Sequence, residues 1–350
     1  MYKLIRPILF RFDPEKVHNR TVKAGRFYGD HISTRFLLRK LYSYSNPMLD
    51  QEILGIKFSN PVGLSAGFDK NGYLTQVLPE IGFGFMEIGS VTAKQGEGNP
   101  KPRLWRLPAD KSIVVHYGLC NDGADVIHDR LKDLKFKIPL FISVAKTNDF
   151  KIKGDDSVND YYYTFRKFEE LADFITLNIS CPNTGDGRSF EDPVLLEKLL
   201  KKIGETDKKI FLKLSPDLKI EEVDRIIKIC KRYSVSGFII SNLTRKNEAF
   251  NKKLEMINAK GGVSGKAVGK LSLDLLRYVY NETKGKFVLI GLGGISSAED
   301  AYKRIKSGAS LIQLITGMIY EGPSLIKKIN KGLVELMRKD GYKNIKEAIG

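Results

Sequence analysis

Phe174-Ile175-Thr176-Leu177-Asn178-Ile179-Ser180-Cys181-Pro182-Asn183-Thr184 decides the fold of this 350-residue chain. Its first half is a short apolar run, the signature of a buried strand. Its second half brings two amides and a thiol to the point where that strand ends, beside a proline that stiffens the turn. In a barrel of alternating strands and helices, active sites are built at that end of the strands. The amides suit a flat polar ring, and the thiol can act as an acid or a base.

Similar apolar runs recur on both sides of this stretch. Strands are predicted at Val62–Ala66, Phe83–Ile88, Leu140–Val144, Phe174–Ile179, Ile210–Leu214, Gly237–Ser241, Phe287–Gly291 and Leu311–Ile315. Helical periodicity fills the gaps at Tyr73–Glu80, Gly123–Leu134, Val158–Leu171, Pro193–Ile203, Ile220–Tyr233, Leu271–Asn281 and Ala298–Lys306, and a last helix starts near Pro323, a residue suited to a first turn. This alternation predicts an α/β protein, a (β/α)8 TIM barrel. The shortness of the last strand leaves a count of seven open, but an open sheet accounts less well for the glycine pattern. Residues 1–45 show no strand pattern and are expected to form a small N-terminal helical extension, with the barrel in 46–350. Gln51–Ser59 and Gln95–Lys111 are expected as extra strands or loops at the barrel ends.

Hydrophobic content of 42% and charged content of 28% are those of an ordinary folded protein. Cys120, Cys181 and Cys230 form no Cys-x-x-Cys pair, so neither a metal nor an iron–sulfur cluster is expected. The net charge of +17 is large and spread along the chain. It fits nucleic acid, anionic lipid or a lysine-rich surface. No apolar run approaches the roughly 20 residues of a spanning helix. Met1–Phe12 mixes Leu4, Ile5, Ile8 and Leu9 with Lys3, Arg6 and Arg11, which fits either a basic amphipathic segment on a bilayer surface or a helix packed on its own domain.

Three glycine clusters follow the late strands: Gly261-Gly262-Val263-Ser264-Gly265, Gly291-Leu292-Gly293-Gly294-Ile295 and Thr316-Gly317. Glycine there lets backbone N–H groups approach a phosphate, as at other barrel phosphate sites. In Ser65-Ala66-Gly67-Phe68-Asp69-Lys70, small residues permit contact with a planar cofactor, and Lys70 can face an anion. Lys213 sits inside the apolar strand Phe211-Leu212-Lys213-Leu214, where a charge is expensive unless it meets an anion or dipole.

With these residues in place, the chain resembles the dihydroorotate dehydrogenases, and among them the membrane-associated, quinone-linked class 2. The likeness runs through Phe12-Asp13-Pro14-Glu15 with His18, Asn60-Pro61-Val62-Gly63-Leu64, Glu87-Ile88-Gly89-Ser90-Val91-Thr92, Lys101-Pro102-Arg103-Leu104-Trp105-Arg106-Leu107, the Asn178–Thr184 motif, Lys213, Ser241-Asn242, the glycine clusters and Gly322-Pro323. The resemblance implies FMN as cofactor, held by Ala66, Gly67, Ser90, Asn178, Lys213, Ser241, Gly265, Gly294 and Thr316. It implies Lys70, Asn178, Asn183 and Asn242 as the residues that bind the pyrimidine, and Cys181 as the catalytic base. His18 and Arg106 match polar residues beside a quinone passage formed by the amino-terminal helices. The implied function is oxidation of (S)-dihydroorotate to orotate with quinone as acceptor, in pyrimidine (UMP) biosynthesis. The implied location is the cytoplasmic face of the cell membrane, bound peripherally, with no nucleic-acid partner.

The chain departs from the class 2 pattern at several points. Cys181 stands where class 2 enzymes place serine and class 1 enzymes place cysteine, and the tail Gly341-Tyr342-Lys343-Asn344-Ile345 is also similar to class 1. Val115 replaces a substrate-binding asparagine, Leu243 a Thr or Ser, and Ser143 a flavin-side asparagine. Two further enzyme readings stay open on these grounds. One is a related FMN enzyme acting on another dihydropyrimidine. The other is a flavoenzyme like the tRNA-dihydrouridine synthases, which share the barrel, the cysteine and the basic surface.

Overall fold

The computed structural model describes residues 2–180, 189–246, 254, 255, 257 and 259–350. Cys181 and Asn183 therefore lie outside the described residues, as does the stretch 184–188.

Eight parallel strands close into a barrel. In chain order they are β1 Val62–Leu64, β2 Phe85–Val91, β3 Leu140–Val144, β4 Phe174–Leu177, β5 Lys209–Leu214, β6 Val235–Ile240, β7 Val288–Leu292 and β8 Leu311–Leu314. Each pairs with its sequence neighbours, and β8 pairs with β1 through Ile312 opposite Val62 to complete the circle. Every strand expected from the sequence is present, within a few residues at its ends.

The strand period of two explains what fills the barrel. Phe85, Phe141, Phe174, Phe211, Ile239, Ile290 and Leu311 form one buried cluster. Phe141 and Phe174 stack with ring centres 4.2 Å apart. The antiparallel hairpin of Gln51–Ile53 and Ile56–Phe58 closes the amino-terminal end, with Phe58 edge-on to Phe85. Two residues further along the same strands, on the same face, come Glu87, Ser143, Thr176, Lys213, Ser241 and Gln313, all buried. The barrel interior thus changes from aromatic to polar on the way to its carboxyl-terminal mouth.

The outer helices follow the sequence reading in most places. Pro193–Ile203 has the expected limits, set by the Asp192 carboxylate, which accepts from Val194 N and Leu195 N. The stretch Tyr73–Glu80 differs: it holds only the short 3-10 turn Leu78–Ile81. The buried Asp69 carboxylate accepts from Tyr73 N at 2.9 Å and Leu74 N at 2.7 Å, which ties this segment into a loop. Three amino-terminal helices cover that side instead: α1 Tyr2–Leu9, α2 Pro14–Asp30 and α3 Ile32–Tyr42.

Two charge clusters fasten these helices to the barrel. Glu15 of α2 accepts from Arg103 Nη2 at 2.8 Å, and both partners are buried. Arg39 of α3 grips the fully buried Glu80 through Nε at 2.6 Å and Nη2 at 2.9 Å, with Lys137 at 2.7 Å on the same carboxylate. Close packing adds to this: a Cβ on Gly25 of α2 would lie 2.6 Å from Leu74 Cδ2.

A three-stranded antiparallel sheet stands outside the barrel, built from Leu104–Leu107, Ser112–Val115 and Gly262–Gly265. Its first strand lies in the region expected to carry extra structure. Its third strand is the first glycine cluster, which the sequence reading treated as a phosphate turn only.

Candidate active site

One cavity of about 580 Å³ runs from the barrel mouth to the underside of the amino-terminal helices. Its lining includes Ala66, Gly67, Lys70, Ser90, Asn178, Lys213, Ser241, Asn242, Gly265, Gly294 and Thr316, and also His18 and Arg106. Every described residue expected at a binding site therefore borders the same space. Val115 and Leu243 border it too.

Lys213 projects from β5 into the polar layer. Its ammonium donates to Ser65 Oγ at 3.0 Å and stands 3.6 Å from Glu87 Oε2. Glu87, fully buried on β2, also accepts from Ala66 N at 2.8 Å through the same oxygen. The sequence reading did not single out Glu87. It is the counter-charge that makes a buried lysine tolerable here.

Five polar side chains from four strand ends form a continuous chain of hydrogen bonds. Ser143 and Ser90 hydroxyls meet at 2.7 Å. Asn178 Nδ2 donates to Ser90 Oγ at 2.9 Å, and Ser180 Oγ donates to Asn178 Oδ1 at 3.2 Å. Asn242 Nδ2 donates to Ser180 Oγ at 2.7 Å. Ser143, read from the sequence as a lost amide, is thus bonded to Ser90 in this network.

The glycine clusters curve around the opposite part of the mouth. Ser264 Oγ and Thr316 Oγ1 meet at 3.0 Å beside Gly265. Gly265 has φ +104°, and a Cβ there would lie 2.6 Å from Lys111 O. At Gly67 a Cβ would meet nothing closer than Ile315 Cδ1 at 3.7 Å, so this backbone is open to the cavity. Bare backbone on one side, paired hydroxyls at the glycine turns and a buried cation form a cradle that suits a planar cofactor with a phosphate tail.

Lys70 and His18 line the cavity side by side. Lys70 Nζ donates to His18 Nε2 at 3.2 Å and lies 4.0 Å from the Tyr117 ring centre. Burial lowers the Lys70 pKa to about 8, although Cys120, Asp69 and Glu15 oppose the shift. Burial, reinforced by the Lys70 charge, drives His18 down to about 3, so its imidazole is neutral. Burial also raises the Tyr117 hydroxyl. Arg106 donates to Phe12 O at 2.9 Å and Phe10 O at 3.4 Å, holding the turn between α1 and α2. Burial lowers its pKa.

A parallel barrel whose mouth holds this cradle, a buried lysine and two amides fits a flavin-dependent oxidoreductase. Comparison with known proteins gives the family. The family model for dihydroorotate dehydrogenase matches residues 48–337. A dihydroorotate dehydrogenase (quinone) from Trichodesmium erythraeum is 35% identical over 98% of this chain and 96% of its own length. The corresponding protein from Sulfurovum sp. is 38% identical over 100% of this chain and 98% of its own. The crystal structure of DHODH from Eimeria tenella in complex with ferulenol superposes with a TM-score of 0.82 at 29% identity, covering 97% of this chain and 95% of that one. The chain belongs to the dihydroorotate dehydrogenase family, in its quinone-dependent class. The reading as a tRNA-directed flavoenzyme gives way to this assignment.

Among the described residues no group of His, Cys, Asp and Glu could hold a metal ion, and no helix is long and apolar enough to cross a membrane.

Proposed function

We propose that this chain oxidises (S)-dihydroorotate to orotate at the barrel mouth and passes the electrons to a quinone that reaches the cavity beneath α1–α3, as a step of pyrimidine biosynthesis. The observation that carries the reading is the continuity of one cavity from the polar strand ends to the apolar undersides of the helices. A polar ring and a greasy acceptor have separate ends of the same space.

FMN is the flavin, with Ala66, Gly67, Ser90, Asn178, Lys213, Ser241, Gly265, Gly294 and Thr316 as its contacts, and when bound it supplies the two-electron acceptor. Lys213 offers that group a fixed positive charge. Asn178, Asn183 and Asn242 hold the carbonyl and N–H edges of the pyrimidine, and the Lys70 ammonium meets its carboxylate. Cys181 Sγ, as the thiolate, takes the proton from the ring CH2, and the hydrogen of the neighbouring carbon would leave with its electron pair as hydride to the two-electron acceptor that the flavin supplies. A thiol with a reference pKa of ~8.5 ionises far more readily than the serine hydroxyl it replaces. His18, neutral, and Arg106, charged, give the quinone end its polar contacts.

The same helices supply a membrane surface. Leu4 and Ile32 are each 78% exposed, and Ile5, Ile8, Phe36 and Leu37 are exposed with them. Residues 1–45 carry ten Lys or Arg against Asp13, Glu15 and Asp30. Exposed hydrocarbon within a basic surround suits peripheral attachment to the cytoplasmic face of an anionic bilayer.

Val115 and Leu243 give part of the ring end a hydrocarbon wall, which favours keeping a second dihydropyrimidine in the comparison. Titrating the oxidised protein with orotate and with uracil, followed by the flavin spectrum, ranks the two. The base is tested by Cys181→Ala, which is expected to slow anaerobic flavin reduction by about 10²–10⁴-fold while FMN stays bound. Equal reduction rates in variant and parent would remove Cys181 from the chemistry.

A further inference from the structure

We infer that Ser180, one residue before the thiol, is a positioning residue that transmits a fixed amide orientation from Asn242 to Asn178. This rests on the reading of those two amides as the pyrimidine-binding groups. The side chain of Ser180 is buried, and it is the direct link between them.

The backbone N–H of Leu243 donates to Asn242 Oδ1 at 2.9 Å. A backbone N–H can only donate, so the atom facing it has to be the oxygen of the amide. That fixes the NH₂ of Asn242 toward Ser180 Oγ, 2.7 Å away. The serine oxygen therefore accepts from Asn242, and its single proton is free for Asn178 Oδ1 at 3.2 Å. The Asn178 NH₂ is then turned to Ser90 Oγ at 2.9 Å. Every donor points the same way, and one backbone amide sets the direction of all of them.

The consequence concerns recognition. Each asparagine spends one N–H and one lone pair within the chain and keeps one of each for a ligand. A pyrimidine edge alternates carbonyl acceptors with an N–H donor, so a flipped amide offers the wrong group to it. Ser180 keeps the amides from flipping independently. An alanine at 180 would preserve the packing and remove this coupling. It would leave Asn178 free to present oxygen where nitrogen is needed.

The test uses the flavin-loaded full-length protein and orotate as the probe. Ser180→Ala is expected to weaken orotate binding, read from the flavin absorbance shift, by about tenfold, the scale of one hydrogen bond plus one misoriented partner. KM for dihydroorotate should rise in step, while kcat falls less and flavin content per chain stays at the parent level. Ser180→Thr, which keeps the hydroxyl, should restore most of the affinity. A double-mutant cycle of Asn178→Ala with Asn242→Ala should show coupling in the parent background and additivity in the Ser180→Ala background. If Ser180→Ala does not retain flavin, Ser180→Cys carries the same comparison, because a thiol fills the space but donates weakly. Parent-like orotate affinity in the hydroxyl-free variants, with Asn178→Ala and Asn242→Ala each weakening it, would overturn the positioning role alone. Parent-like affinity in both asparagine variants would overturn the ring-binding reading and the role of Ser180 with it.

Discussion

Replacing Arg103 by methionine should undock α2 and reverse the acid response of the protein. Arg103 donates to Glu15 through Nη2 at 2.8 Å and through Nε at 3.2 Å, and its Nη1 also serves Glu97 O at 2.6 Å and Asn99 O at 3.0 Å. Glu15 is 6% exposed and Arg103 7%. Breaking one partner of such a buried pair costs about 3–5 kcal/mol, because the other charge is left uncompensated. Lys101, 3.5 Å away with a mostly exposed side chain, and the charge of Lys70 would remain to face Glu15. The sign of the pH dependence follows from the opposing influences on this carboxyl. Burial pushes its pKa up, but the hydrogen bonds and charges of Arg103 and Lys101 together outweigh it and hold the group below the ordinary value of 4.5. A depressed value means that the parent gains stability above the unfolded pKa and loses it as pH falls through the folded one. Without Arg103, burial prevails and the folded pKa rises. The variant should then be better docked in mild acid, where Glu15 is protonated, and looser as pH rises through that raised value. Hydrogen exchange of the α2 amides at mildly acidic and neutral pH, alongside urea unfolding, reads both effects. Since α2 carries His18, quinone reduction should fail before flavin reduction does. The double variant Glu15→Leu/Arg103→Met should recover the part of the loss that comes from the stranded carboxylate, while the bonds to Glu97 O and Asn99 O stay lost. Unchanged α2 exchange in Arg103→Met, or a destabilisation below about 1 kcal/mol with the parent's acid response, would refute the assignment of this pair as the anchor.

Further expectations follow from the cavity. Lys70 is charged below its pKa of about 8, so orotate affinity should be full at neutral pH and decline as pH rises through that value. Lys70→Met should bind weakly with no such slope, and flavin-monitored titrations across this range check it. His18→Ala should raise the quinone KM several-fold, as expected for one lost polar contact, and change flavin reduction at saturating dihydroorotate far less, its effect there confined to the lost Lys70 partner. Because the imidazole is neutral down to about pH 3, His18 should impose no titration on the quinone step in stopped-flow rates between mild acid and neutrality. Gly265→Ala meets both a φ of +104° and a carbonyl 2.6 Å from its new Cβ. It should purify with clearly less flavin per chain by absorbance, since a side chain held at φ +104° and ψ −148° alone costs about 1–3 kcal/mol.

The barrel was legible because parallel strands buried on both faces read as short apolar runs, and seven stand out in that way, while the eighth, Leu311–Leu314, is short enough to leave the count open until the barrel is seen to close. The same property hid the polar layer. Within Phe85-Met86-Glu87-Ile88, Glu87 reads as a single interruption, and its pairing with Lys213 of β5 becomes visible only when the strands close. The failed helix at Tyr73–Glu80 has a local cause in the Asp69 carboxylate, whose bonds to two backbone amides cannot be foreseen from helical periodicity. Gly262–Gly265 gave no strand signal because glycine lacks the side chains that mark one, and its pairing with Ser112–Val115 is long-range. Most residues of the site came from the family resemblance, and the described ones, Ala66 and Lys70 to Thr316, border one cavity, while Cys181 and Asn183 lie outside the described residues. Ser180 was passed over because a serine between an apolar residue and a thiol reads as a spacer until its partners, Asn178 just after β4 and Asn242 after β6, are known.

The central claim is that one cavity serves two substrates through one flavin, and anaerobic sequential mixing tests it directly. Purified yellow protein mixed with dihydroorotate is expected to bleach, and a soluble quinone added next is expected to restore the colour within the same turnover. A flavin that stays oxidised in the presence of dihydroorotate, or one that bleaches but is not reoxidised by quinone, would contradict it.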